Sequence, residues 1–556
     1  MALRATIDLL NDRTDTPWLA KIAVINPVYG EGYATAARFF VLNRRYEEGI
    51  QLYRKALELS PRLWEARSEL GINLMRLGRD AEARDHLEAA YNNGYKNAAT
   101  ANSLKLLDSY KNFEFFEQGN LRVKLHKKES ELLRPYIEDE LKRAVSTFEK
   151  KYKIKLEHPV QVELYPDHED FAVRTMGLPG LGALGVTFGY VVAMDSPSGR
   201  KPGSFHWAST LWHELSHVFV LAATKHRVPR WFTEGMAVHE ETAVSPEWGD
   251  RLDPEAIQSI QKKRLLPVAQ LDRGFIRPSY PAQVPVSYFQ AGRICDYIAG
   301  KWGYQKLLDM MQAFASRKTT PEVIESQLGM KPEDFDREFL AWLEAQTKTQ
   351  VDNFTEWRKR LRGISELAKA RKDDEVIKEG AAVRDMYPDY VEAGSVYEFL
   401  ADAYMSKGNL ESAAEELQRY AQMGGKSPLL LKRLAKLLEG QGKKKEAAAA
   451  LERINYIAPA MDEELHGRLG DLHAALGNKR HAIREYRAMV ASKPVDVAGA
   501  QFRLAKAYRE NQQMDEAREH LLLALEEAPG FKPAQQMLLE LTELSDSPGN
   551  RPRKKR

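Results

Sequence analysis

The stretch "STLWHELSHVFVLAATKHRVPRWFTEGMAVHEE", residues 209–241, decides how the middle of this chain is read. At its centre is HELSH, which contains His213, Glu214 and His217. Residues four apart on an α-helix point the same way, so His213 and His217 share a face. Steps of about 100° per residue place Leu211, Leu215, Val218 and Ala222 on the opposite side. The segment therefore predicts a helix that packs its back into a core and presents two imidazoles and Glu214 to a cleft. An exposed histidine pair would show the same stripe, so the stripe permits a metal site without deciding for one.

A third ligand decides more, because catalytic zinc usually takes three protein ligands and leaves one position for water. Sixteen residues intervene between His217 and Glu234 in "VPRWFTEGMAVHE". Pro229 and the pair Trp231–Phe232 introduce a second apolar helix, and a helix–loop–helix can return Glu234 to the histidines. His226, His239, Glu240 and Glu241 are the rival ligands. A metzincin pattern requires glycine and histidine three and six residues after the second histidine. Val220 and Ala223 stand there, so that pattern fails.

HELSH followed by "WFTEGMA" is similar to the gluzincin metallopeptidases, including the aminopeptidase N family and the peptidase MA-like proteins joined to tetratricopeptide repeats. The likeness runs through roughly residues 111–345 and implies zinc held by His213, His217 and Glu234. Glu214, beside the ligands, is then the general base that takes the proton of a zinc-activated water and delivers it to the leaving amine. Downstream, "PVSYFQAGRICDYIAGKWGYQKLL" also resembles the family, in which a tyrosine at the head of a Y-x-x-G segment stabilises the oxyanion. Carried over to "YFQAG", which has one extra residue before Gly292, that role falls to Tyr288. Aminopeptidases of the group grip the substrate amine with a glutamate in a Gly-rich stretch. The local stretch "GLPGLGALGVTFGYVVAM" has none, and its glycines suit a strand edge left open to an extended peptide.

Both ends of the chain are periodic. Ala37 aligns with Gly71, Phe40 with Leu74, Gly49 with Ala83 and Ala56 with Ala90, all 34 apart. Toward the C-terminus Gly408, Gly442, Gly477 and Gln512 mark equivalent turns at intervals of 34, 35 and 35, and Pro459, Pro494 and Pro529 end their repeats. A degraded repeat is expected over 364–390. This helix–turn–helix period resembles the tetratricopeptide repeat, which implies solenoids that dock peptides or partner proteins. The repeats carry no histidine or carboxylate cluster at ligand spacing, and are expected to be dispensable for metal binding.

Between these ends the period disappears. "NFEFFEQGNLRVKLH" alternates like a hairpin turning at "QGN". A helix over 132–152, a strand at "PVQVELYP" and one further strand at "GVTFGYVVAM" follow, then mostly helices. Strands first and helices later predict an α+β, zincin-like domain over 111–350. All-α tetratricopeptide solenoids over 1–110 and 351–545 flank it, and residues 546–556 form a basic tail ending in RPRKKR.

Composition constrains the partners. The chain is 43% hydrophobic and 29% charged with a net charge of +3, which gives no reason to expect nucleic acid or an anionic membrane surface. No apolar run reaches the roughly 18 residues of a membrane span. The single cysteine, Cys295, excludes an intramolecular disulfide. "MALRATIDLLNDRTDTPW" lacks the apolar region of a signal peptide, yet "PVYGEGYATAA" reads like a junction between repeats, as if the chain starts in mid-repeat. Compartment is therefore left open, periplasmic or secreted locations included.

The sequence thus predicts a zinc metallopeptidase acting on peptides or proteins selected by its repeats. Two alternatives stand beside it: a binding scaffold around an inactive zincin-like domain, and a metallohydrolase of another substrate class.

Overall fold

The computed structural model describes residues 1–249, 251–460 and 462–546, so the tail expected over 546–556 lies outside the described residues from 547 onward. Among the described residues helices dominate, and one small sheet sits in the middle of the chain.

The N-terminal helices pair as the period predicts, Glu31–Leu42 with Tyr46–Leu59 and Trp64–Arg76 with Asp80–Asn92. The C-terminal pairs are Val396–Ser406 with Leu410–Gln422, Pro428–Gly440 with Lys444–Asn455, Glu463–Ala475 with Lys479–Ala491, and Val497–Glu510 with Met514–Glu527. Gly408, Gly442, Gly477 and Gln512 share the left-handed backbone conformation that ends the first helix of each pair, with φ of 77°, 74°, 75° and 63°. Gly78 and Arg44 occupy the matching turns of the N-terminal repeats, with φ of 74° and 61°. Glycine adopts this conformation freely, whereas arginine and glutamine do so at a cost.

Five strands form the sheet: β1 (Phe113–Gln118), β2 (Leu121–His126), β3 (Val160–Tyr165), β4 (Gly185–Phe188) and β5 (Val191–Asp195). Their order is β1-β2-β3-β5-β4, with parallel pairing at β2–β3 and β3–β5 and antiparallel pairing at both ends. The β1–β2 hairpin turns at Gly119–Asn120, as the alternation predicts. One expectation is corrected: "GVTFGYVVAM" is two strands, not one. Phe188 pairs with Val191 across a two-residue turn in which Gly189 has φ of 73°, so the chain reverses within what reads as a single apolar run.

The helix Ser130–Tyr152 covers one face of the sheet with Leu133, Ile137, Leu141, Ala144 and Phe148, a buried row at helical spacing. The motif helix, Trp207–Thr224, follows β5 and is buried on nearly every side, unlike a surface helix. Arg230–Val244 turns back beside it, and Gln283–Trp302 packs on that second helix. This last contact is close because a Cβ on Gly235 would lie 2.5 Å from the Ala291 carbonyl oxygen, and one on Gly292 would overlap Val238.

The repeats are packed onto the middle rather than strung from it. Residue 350 lies inside one continuous helix, Pro332–Lys369. Tyr46 of an N-terminal repeat meets Phe188 edge to face at 5.6 Å. On the other side Trp207 donates its indole N–H to the Asn455 carbonyl at 2.8 Å, and the Tyr136 hydroxyl donates to Glu485 at 2.9 Å.

Candidate metal centre

His213 and His217 leave the motif helix side by side, with ring centroids 4.8 Å apart and planes at 86°. The return helix brings Glu234 opposite them. Its Oε2 is 3.3 Å from His213 Nε2 and 3.0 Å from His217 Nε2. These three side chains offer ligand atoms that all lie within 4.8 Å of one another. Glu234 is 2% exposed and His217 4%, so the donor set sits below the surface.

The other ring nitrogens are already occupied. His213 Nδ1 lies 2.7 Å from Glu241 Oε1, and His217 Nδ1 lies 2.8 Å from Thr233 Oγ1. Partners of this kind fix the ring orientation and the tautomer, and leave each Nε2 free to face a metal. In the site as it stands, burial works against a charge on His213, but hydrogen bonds to Glu234 and Glu241 prevail and hold its pKa well above the usual histidine range. Burial would raise the Glu234 carboxyl, yet His217 and His213 hold it well below the usual range. Two imidazoles converging on one buried carboxylate oxygen form a donor set that fits a divalent ion of the zinc class.

The rival ligands lie elsewhere or serve other purposes. His239 Nδ1 is 2.7 Å from Asp296, and Glu240 pairs with Lys151 and accepts from the Tyr304 hydroxyl at 2.7 Å. His226 stands near Tyr46 and Gly189, in a separate cavity that contains neither motif histidine. Glu241 supports His213 from behind.

Glu214 points toward the edge strand. The Thr187 hydroxyl lies 2.6 Å from its Oε2 and donates to it. A Cβ on Gly185 would sit 2.7 Å from Glu214 Cγ, so only glycine lets β4 approach the carboxylate this closely. Tyr288, on Gln283–Trp302, places its ring 6.1 Å from that of His213 and edge-on to Phe275 at 5.1 Å. Burial pushes the Tyr288 hydroxyl pKa up, Glu234 adds to the rise and Arg230 opposes it, so the phenol keeps its proton near neutrality.

A cavity of about 520 Å³ opens onto His213, Glu214, Gly185 and Tyr288. Its far wall comes from the C-terminal region, including Tyr387, Tyr390 and Lys426. From the opposite end, Arg44 of the N-terminal repeat reaches Glu234 Oε1 at 3.3 Å, where Arg230 Nε also lies at 3.3 Å. An N-terminal repeat thus touches a candidate ligand, although the repeats are expected to be dispensable for metal binding. Thr187, Thr233, Arg44 and the supporting role of Glu241 escape the sequence reading. Thr233 and Glu241 lie in the 209–241 stretch and Thr187 in the Gly-rich stretch, but no local pattern marks these roles.

Comparison with known proteins agrees with this layout. Residues 141–345 match the model of the Peptidase MA superfamily, and residues 35–101, 400–461 and 468–530 match that of the tetratricopeptide repeat. No curated protein matches the chain. Among solved structures, YrrB, described as a TPR protein with an unusual peptide-binding site, is 18% identical over 32% of this chain and 89% of its own, with a TM-score of 0.25. A MamA fragment from Desulfovibrio magneticus RS-1 is 21% identical over 27% of this chain and 84% of its own, with a TM-score of 0.24. The chain thus carries a segment that matches the Peptidase MA superfamily, set between segments that match the tetratricopeptide repeat.

Proposed function

We propose that this protein is a zinc-dependent metallopeptidase with a zincin-like α+β core, and that its repeats dock the protein substrate or a partner. The observation that carries the reading is the convergence of His213, His217 and Glu234 beside an unligated Glu214, at the edge of a cavity large enough for a peptide segment. Bound zinc would supply a Lewis acid and an activated water. The chain's own residues do the rest. Glu214, fixed by Thr187, accepts a proton from water and returns it to the departing amine. Tyr288, protonated at neutral pH, donates toward the developing oxyanion. The β4 edge, adjoining Glu214 at Gly185, suits backbone pairing with an extended substrate.

Two nearly isosteric variants test the reading. Glu234→Gln removes an anionic ligand, so zinc is lost or bound far more weakly and activity falls with occupancy. Glu214→Gln keeps the three ligands, so zinc stays near one per chain while hydrolysis of a peptide library collapses. Full zinc in Glu234→Gln would move the third ligand elsewhere, and an active Glu214→Gln would end the mechanism. If the wild type carries zinc but cleaves no peptide, the repeat scaffold becomes the better reading.

A further inference from the structure

We propose that Arg44, carried by a turn of the N-terminal repeat, is a positioning residue of the metal centre: together with Arg230 it holds Glu234 Oε1, so that Oε2 stays turned toward both histidines. The inference rests on the metallopeptidase reading above. Arg44 stands 190 residues before Glu234 in the chain and reaches it at 3.3 Å. Three observations carry it. Glu234 is almost wholly buried, and its two oxygens are divided between the histidines on one side and the two guanidiniums on the other. A buried carboxylate held at one oxygen has little freedom to rotate, and partners of this kind orient a metal ligand.

The backbone at Arg44 is the second observation. It takes the left-handed conformation that Gly78, Gly408, Gly442 and Gly477 adopt at the equivalent turns of other repeats. Arg371 and Gln512 take the same conformation at other repeat turns, so the strain at Arg44 supports the inference only together with the contact its side chain makes. The third is the fastening of that turn. Arg45, next in sequence, pairs with Asp12 and Glu48. Asp12 also receives Arg227 at 2.9 Å and Arg317 at 2.7 Å, both from the middle of the chain. One half-buried acid thereby locks the repeat turn to the region that carries the proposed ligands, and Arg44 projects from the locked turn.

The test uses the full chain, stripped of metal and titrated with zinc against a chromophoric chelator. Arg44→Ala should bind zinc about tenfold more weakly or worse, the range seen when outer partners of a metal ligand are removed. Arg44→Lys should recover part of the loss, since one charged donor remains. Asp12→Asn should also weaken zinc binding although Arg44 is intact, because the turn is released. Thermal unfolding of the metal-free proteins separates these effects from misfolding, and Arg44→Lys carries the test if the alanine variant does not fold. Unchanged or tighter zinc binding in both Arg44 variants overturns the inference and leaves the metallopeptidase reading in place. Failure of the wild type to take up zinc overturns both.

Discussion

Thr187 and Glu214 meet where the edge strand crosses the motif helix, the hydroxyl lying 2.6 Å from the carboxylate Oε2 and 2.9 Å from the Glu214 carbonyl oxygen. The strand thus sets the attitude of the proposed base. Thr187→Val keeps the shape and removes the donor. Hydrogen bonds to charged groups contribute roughly 1.5–3 kcal/mol, so turnover should fall about tenfold or more while zinc content is unchanged. Paired metal analysis and steady-state kinetics check this.

Tyr288→Phe should reduce kcat about a hundredfold and leave KM and zinc content close to wild type, because an oxyanion donor acts in the transition state. Unchanged turnover would return Tyr288 to a packing role against Phe275.

Glu241→Gln should weaken zinc binding roughly 10- to 100-fold without abolishing it, since Glu241 orients His213 through Nδ1. Chelator competition reads the shift. Complete loss of zinc, equal to that of Glu234→Gln, would make Glu241 a ligand in its own right.

Acid stability should depend on Asp12. Burial acts to raise this carboxyl, but hydrogen bonds from Arg227 and Arg45 outweigh it and bring the pKa from 3.8 down to about 2. A carboxylate depressed in the folded state contributes its full stability above the unfolded value, and loses it as pH falls through the folded one. Wild type should therefore lose stability on acidification between about pH 4 and 2. Asp12→Asn should be less stable at neutral pH and show a shallower decline over that window, measured by denaturant unfolding across the range.

The repeat layout and the grouping of His213, His217 and Glu234 were legible in part because much of their signal is local. His213 and His217 are one helical turn apart, which spacing shows, whereas Glu234 stood among rivals until the resemblance of the "WFTEGMA" segment favoured it. The β4–β5 hairpin was misread because Gly189–Tyr190 interrupts hydrophobicity too briefly to show as a break. Thr187 and Arg44 carry no local signal at all. Their roles arise from the packing of distant segments, which depends on the whole tertiary arrangement. Gly292 shows a subtler limit: it sits in the family-like "YFQAG" segment, yet its place in the fold is to admit Val238 between two helices.

The joining of Trp207 to Asn455 has a consequence for synthesis. Chains emerge from the ribosome N-terminus first and fold region by region. Arg44 and its repeat will already be outside when the motif helix appears. The far wall of the cavity, with Tyr387 and Lys426, and the Asn455 carbonyl that takes the Trp207 indole emerge only more than 150 residues after that helix. A nascent chain long enough to gather His213, His217 and Glu234 still has an unwalled cleft. On the metallopeptidase reading, competence to process a substrate is deferred until the segment carrying Asn455 has been made.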